Sequence, residues 1–106
     1  MTHEYTLLLG GTVIPGGGAP DVSAIAWAHD MVLLLGSDDD VRAISRGDSH
    51  EFDLAGKFVV PLNETLEVGG PADLAVFSQD PRSADAPPRP LAVVRAGRVT
   101  QGSLDP

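Results

Sequence analysis

Glycine and proline decide what this chain can become. Twelve glycines and nine prolines are spread along its 106 residues, and the apolar stretches left between them are short. A helix with a wide apolar stripe has no room, whereas short strands separated by turns do. The expected class is all-β: a β-sandwich of short strands carrying one short helix near residues 37–46. A chain of this length buries one core, so a single domain spanning 1–106 is expected.

Charge narrows the partners. Fifteen acidic residues against seven Lys plus Arg give a formal net charge of -8, a field that repels phosphate backbones and anionic lipid. Neither nucleic acid nor a membrane surface is an expected partner. There is no cysteine, which removes disulfides, thiolate metal sites and cysteine nucleophiles together. Met1 to Tyr5 carries no basic cluster, and Leu7-Leu8-Leu9 is too short for the apolar core of a signal peptide. No run approaches the roughly 20 apolar residues of a membrane span. A cytoplasmic location is the expectation.

Local pattern places the elements. Tyr5 to Leu9 and Thr12 to Ile14 read as extended, broken at Gly10-Gly11, where missing side chains permit a bend. Pro15 to Pro20 is a loop. Its three glycines are followed by neither a helix start nor a lysine, so a phosphate cradle is not expected. Ser23 to Ala28 alternates Ile25 and Trp27 on one side with Ala24, Ala26 and Ala28 on the other, the pattern of a strand packed on both faces. Trp27 is expected as a core or interface anchor rather than a ligand-stacking residue. His29-Asp30, residue types that tolerate positive φ, would turn this strand into Met31 to Leu35.

The helix signal is local and specific. Ser37 is the expected N-cap, Asp38, Asp39 and Asp40 occupy the positively polarised first turn, and Asp40 can complete a capping box. Val41 and Ile44 share a face, Arg42 and Arg46 lie toward the C-terminal end, and Gly47 supplies the stop. Calcium binding would need a different spacing of oxygen ligands. Beyond the helix, Glu51 to Leu54 and Lys57 to Val60 are expected to pair as a hairpin over Ala55-Gly56. Leu74 to Phe77 is an apolar strand and Ser78 to Pro90 a loop, in which Pro87-Pro88-Arg89-Pro90 reads as a stiff return rather than a polyproline ligand. Leu91 to Arg95 and Arg98 to Gln101 close as a hairpin over Ala96-Gly97.

Candidate chemistry is sparse. A catalytic zinc ion takes about three protein ligands around one open position, and no two of His3, His29 and His50 stand at i, i+2 or i, i+4. No Gly-X-Ser-X-Gly elbow exists, and Lys57 reads as an exposed turn residue. Asp73 has two readings. It could be a base beside the Gly69-Gly70 loop, or its carboxylate could accept backbone N–H groups where the chain enters a strand; the second is preferred. Asn63-Glu64-Thr65 spells a glycosylation acceptor with no secretory signal to use it. No catalytic, cofactor-binding or metal-ligating residue is expected.

Taken in order, these segments resemble the composite β-sandwich domain of the amidohydrolase superfamily, metal-dependent hydrolases of cyclic and acyclic amides. Its first half is matched by Leu8-Leu9-Gly10-Gly11-Thr12-Val13-Ile14, by Leu33-Leu34-Leu35-Gly36, and by the run from Asp53 to Pro61. Its second half is matched by the run from Leu66 to Phe77 and by Val93-Val94-Arg95-Ala96-Gly97-Arg98-Val99. The resemblance implies two half-domains, 1–61 and 72–106, joined by a connector, 62–71. In that family a (β/α)8 barrel opening with His-X-His stands between the halves; here Leu62 and Asn63 follow Pro61. The chain therefore resembles the sandwich with its barrel removed and the ends joined. The resemblance implies a structural module without cofactor or active site, or else a part that supports hydrolysis of carbon–nitrogen bonds by a barrel on another chain, or a small interaction module. The surface a barrel would cover is expected to keep apolar residues and to drive homo-oligomer formation.

Overall fold

The computed structural model describes residues 5–44, 49–82 and 89–102. Within them the alternation of Ile25 and Trp27 against Ala24 and Ala26 does what a two-sided strand should. Strand β3 (Ala24–Ala28) is almost wholly buried. Ile25 and Trp27 enter the larger apolar core, and Ala24 and Ala26 enter a smaller one on the opposite face. Trp27 is the largest of the fully buried side chains.

Two sheets form around that strand. The first has the order β4 (Met31–Gly36), β3, β1 (Tyr5–Leu9), β5 (Ser49–Asp53). The second has the order β2 (Thr12–Val13), β6 (Phe58–Pro61), β7 (Leu74–Phe77), β8 (Ala92–Arg95), β9 (Arg98–Gly102). Both are mixed: β1 runs parallel to β5 and β2 parallel to β6, while the other pairs are antiparallel. Leu8, Ile25, Trp27 and Val32 of the first sheet meet Val13, Val59, Leu74, Val76 and Val94 of the second in one core, the all-β sandwich anticipated from the spacing of glycine and proline.

The far side of the first sheet is covered by α1 (Asp38–Ala43), whose Val41 is buried with Leu7, Leu9, Ala24 and Ala26, and against which Ile44 packs. The Ser37 hydroxyl accepts the Asp40 N–H at 3.1 Å, which satisfies one of the donors a helix start leaves unpaired. The Asp38 carboxylate accepts the Gly10 N–H at 3.0 Å, fixing the helix start to the end of β1. The helix closes at Ile44 in αR conformation; Arg46 and the expected stop at Gly47 lie outside the described residues.

One expected pairing is wrong. Residues 51–54 and 57–60 do not form a hairpin over Ala55-Gly56. The turn exists, with φ of 51° and 82° and the Lys57 N–H donating to Leu54 O at 3.0 Å, but β5 belongs to the first sheet and β6 to the second. The chain makes the same transfer at Gly10-Gly11, between β1 and β2. The two corners lie side by side, joined by Leu54 N–H to Leu9 O at 2.7 Å, Gly56 N–H to Gly10 O at 3.0 Å and Thr12 N–H to Lys57 O at 3.0 Å. Gly11 is glycine because a Cβ there would stand 2.5 Å from Lys57 O. The hairpins over His29-Asp30 and Ala96-Gly97 form as the sequence indicates, with positive φ at His29, Ala96 and Gly97.

Candidate functional site

The stretch between β6 and β7 is where the expected family resemblance and this chain part, so it is the place to look for chemistry. Antiparallel pairing of β6 with β7 brings Pro61 opposite Leu74, and the Leu62 N–H donates to Asp73 O at 3.1 Å. Residues 62–71 then turn out to be more than a connector. Leu66 is buried, only 3% exposed, in the main core, and its N–H donates to Pro15 O at 2.8 Å. Further along, the Gly69 N–H donates to Val32 O, the Val32 N–H to Gly70 O and the Ala72 N–H to Asp30 O, at 2.8–2.9 Å. The segment thus lies along the start of β4 and closes its edge.

An open cleft of about 360 Å³ remains there, lined by Asn63, Glu64, Thr65, Glu67, Gly70 and Pro71. Its polar groups hold each other. The Thr65 hydroxyl donates to Glu67 Oε1 at 2.9 Å, and the Asn63 side-chain amide donates to Asp73 Oδ2 at 3.1 Å. Asp73 Oδ1 accepts the Ala96 N–H at 2.7 Å, so both carboxylate oxygens carry structural bonds, the first of them to the left-handed turn between β8 and β9. Backbone acceptance by Asp73 is the preferred sequence reading, although the donor comes from a distant turn instead of from its own strand entrance. Asn63, of the glycosylation triplet, is exposed and engaged with Asp73.

The other singled-out residues are scattered. His29 occupies the β3–β4 turn at φ 56°. His50, in β5, stacks on Phe52 with ring centroids 4.1 Å apart. His3 lies outside the described residues, as do Pro87 and Pro88. Lys57 is half-buried, and its ammonium donates to Leu54 O at 3.2 Å across the corner turn. A second cleft, of about 370 Å³, gathers Asp38, Glu51 and Asp53 with Arg42, but Asp38 and Asp53 hold the Gly10 and Ala55 N–H groups. Among the described residues no three His, Asp or Glu side chains are placed to hold a metal ion. The donor set of a hydrolytic metal centre is not assembled within them.

Sequence reading missed one clasp. Arg82 binds Asp21 Oδ2 and Asp80 Oδ2, each at 3.0 Å, pinning the start of the β7–β8 loop to the residue before Val22. The side-chain hydrogen bond from Arg82, then its backbone N–H, holds the Asp80 carboxyl below its ordinary range. Only the short Asp80-Pro81-Arg82 spacing signals the near half of it; Asp21, sixty-one residues away, gives no local sign.

Comparison with known proteins fits a hydrolase-related fold. No known family profile matches the chain, and no curated protein matches it. A crystal structure of an uncharacterized metal-dependent hydrolase from Pyrococcus furiosus is similar at TM-score 0.50 and 27% identity, over 54% of this chain and 13% of that one. An uncharacterized metal-dependent hydrolase from Pyrococcus horikoshii OT3 is similar at TM-score 0.49 and 27% identity, over 54% of this chain and 12% of that one. The chain thus spans about an eighth of the length of either neighbour.

Proposed function

We propose that this chain is a structural, catalytically silent module built like the composite β-sandwich that flanks the barrel of amidohydrolases, and that it works without an active site of its own. One observation carries the reading: residues 62–72, where a barrel would be inserted, are bonded into the sandwich through Leu66, Gly69 and Ala72, with Leu66 in the core. A segment so placed completes this fold. Of the polar side chains along it, Asn63 is held by Asp73, and Thr65 by Glu67. The partial likeness to a named metal-dependent hydrolase supports the family reading, but a fold does not bring an activity with it. A cytoplasmic location belongs to the same proposal.

The test combines metal analysis of the purified chain with assays on cyclic and acyclic amides, with and without added zinc, nickel or manganese. The expected result is no stoichiometric metal and no metal-dependent turnover. Tightly bound stoichiometric metal with turnover would overturn the reading. A second reading has the sandwich dock on a separate barrel chain and support hydrolysis there; Met31 and Val68, exposed at 44% and 61% beside the junction, favour a partner at that place. Hydrolysis appearing only when the two chains are mixed would establish it.

A further inference from the structure

The middle strands of the second sheet are apolar on both faces. In β6, β7 and β8 the apolar residues run without a break over Phe58-Val59-Val60, Leu74 to Phe77 and Ala92-Val93-Val94, the composition of strands covered from both sides. Side chains alternate along a strand, and Val59, Leu74, Val76, Ala92 and Val94 supply the main core. Phe58, Val60, Ala75, Phe77 and Val93 therefore stand on the outer face, and they belong to neither apolar cluster. The outer face of the first sheet is covered by α1 through Val41. Among the described residues no helix does the same for the second sheet.

The strand register arranges this face in two rows. Phe58 lies opposite Phe77, and Leu91, 41% exposed, precedes the Ala92 that pairs with Val76, so Phe58, Phe77 and Leu91 make a bulky row. Val60, Ala75 and Val93 lie side by side and make a lower one, with Ala75 on the middle strand of the sheet. Neither row contains a charge. Arg95 and Arg98, opposite each other in register, stand beyond the low row.

We propose that two copies of the chain pack these faces together about a two-fold axis running across the strands, between the rows. The rotation lays the bulky row of each copy on the low row of the other: Phe77 on the partner's Ala75, Phe58 on the partner's Val60 and Leu91 on the partner's Val93. A ridge of large side chains meets a furrow, and sheets stacked in this way are the ordinary layers of a β-sandwich. Because neither row is charged, the face meets its own copy without like-charge repulsion. The five strands, about 4.8 Å apart and about four residues of 3.3 Å long, give a panel of roughly 300 Å² in projection. Accessible surface exceeds projected area, so two copies together remove on the order of 1,000 Å², the lower bound for a specific interface. A contact of one face with itself closes and stops at the dimer. It uses a different surface from the junction at Met31 and Val68, and it does not depend on the hydrolase reading.

Sedimentation velocity from micromolar to millimolar protein tests it, with circular dichroism confirming that each variant is folded. The wild-type chain should pass from monomer to a discrete dimer. Phe77→Lys and Val60→Lys each bring two unpaired charges into the dimer, one per copy, and should weaken it by about 100-fold or more. Val68→Lys, at the junction, should leave it unchanged. Amide chemical shifts of the wild-type chain on dilution give a second reading that needs no variant: they should move at residues 58–60, 75–77 and 91–93. A monomer at every concentration, a mass that keeps growing past the dimer, a dimer indifferent to Phe77→Lys and Val60→Lys, or dilution shifts confined to residues outside β6, β7 and β8 would each overturn the proposal.

Discussion

The indole N–H of Trp27 donates to the carbonyl oxygen of Gly97 across 3.2 Å, joining an inner strand of one sheet to the closing hairpin of the other. The same turn is pressed against the His29 backbone: a Cβ on Gly97 would stand 1.7 Å from His29 O, at a φ of 77° that side chains rarely adopt. Gly97→Ala should therefore destabilise the chain by roughly 3 kcal/mol or more. Trp27→Phe, which removes the donor, should cost about 1 kcal/mol for the bond besides the lost packing. Urea unfolding followed by far-ultraviolet circular dichroism measures both.

Residues 62–71 supply a test that separates a passive connector from a built part. Leu66→Ala should cost about 2–5 kcal/mol, the range for deleting a buried leucine side chain. The exposed neighbour Val68→Ala should change stability by less than about 0.5 kcal/mol. Equal and small effects would mean that the connector contributes nothing to the core.

Alanine stands at positive φ twice, 51° at Ala55 and 50° at Ala96, where a Cβ crowds the following carbonyl. Ala55→Gly and Ala96→Gly should each stabilise the chain, by about 0.5–1 kcal/mol, because relief of that crowding outweighs the extra freedom of glycine in the unfolded chain. Thermal unfolding midpoints should rise for each. A fall would mean that the turns are not left-handed.

The Asp80–Arg82 pair sets a pH dependence with a definite sign. Arg82 lowers the Asp80 pKa in the folded chain from its ordinary 3.8, so the folded state binds this proton less readily than the unfolded state does. The contribution is present in full above pH 3.8 and is lost as pH falls below it. Carboxyl carbon chemical shifts should show Asp80 titrating below its ordinary range in the wild-type chain and back within that range in Arg82→Ala. The pair lies at the surface, with the Asp80 side chain partly exposed, so the effect on overall stability should be slight.

What the sequence disclosed was local. Ser37 with its three aspartates marks the helix start, because a cap and its first turn are neighbours in the chain. His29-Asp30 and Ala96-Gly97 mark true hairpins for the same reason. Ala55-Gly56 has the same turn chemistry, yet β5 and β6 part into different sheets. What separates them is the Gly10-Gly11 corner bonded alongside, more than forty residues earlier, and parallel pairing across such a distance leaves no short-range pattern. Leu66 was hidden differently. A single leucine among Asn63, Glu64, Thr65 and Glu67 has no periodic company to show which way it faces, and Pro15 O, which accepts its N–H, belongs to a loop far away in the sequence. At Asp73 the sequence supplied the role but not the partner, since nothing nearby points to Ala96.

Amide hydrogen exchange on the isolated chain tests whether residues 62–72 close two half-domains into one cooperative sandwich. The N–H groups of Leu66, Gly69 and Ala72 should exchange only as fast as global unfolding allows, matching the core amides of β1 and β7. Rapid exchange of those three amides, with the strands on either side still protected, would contradict it.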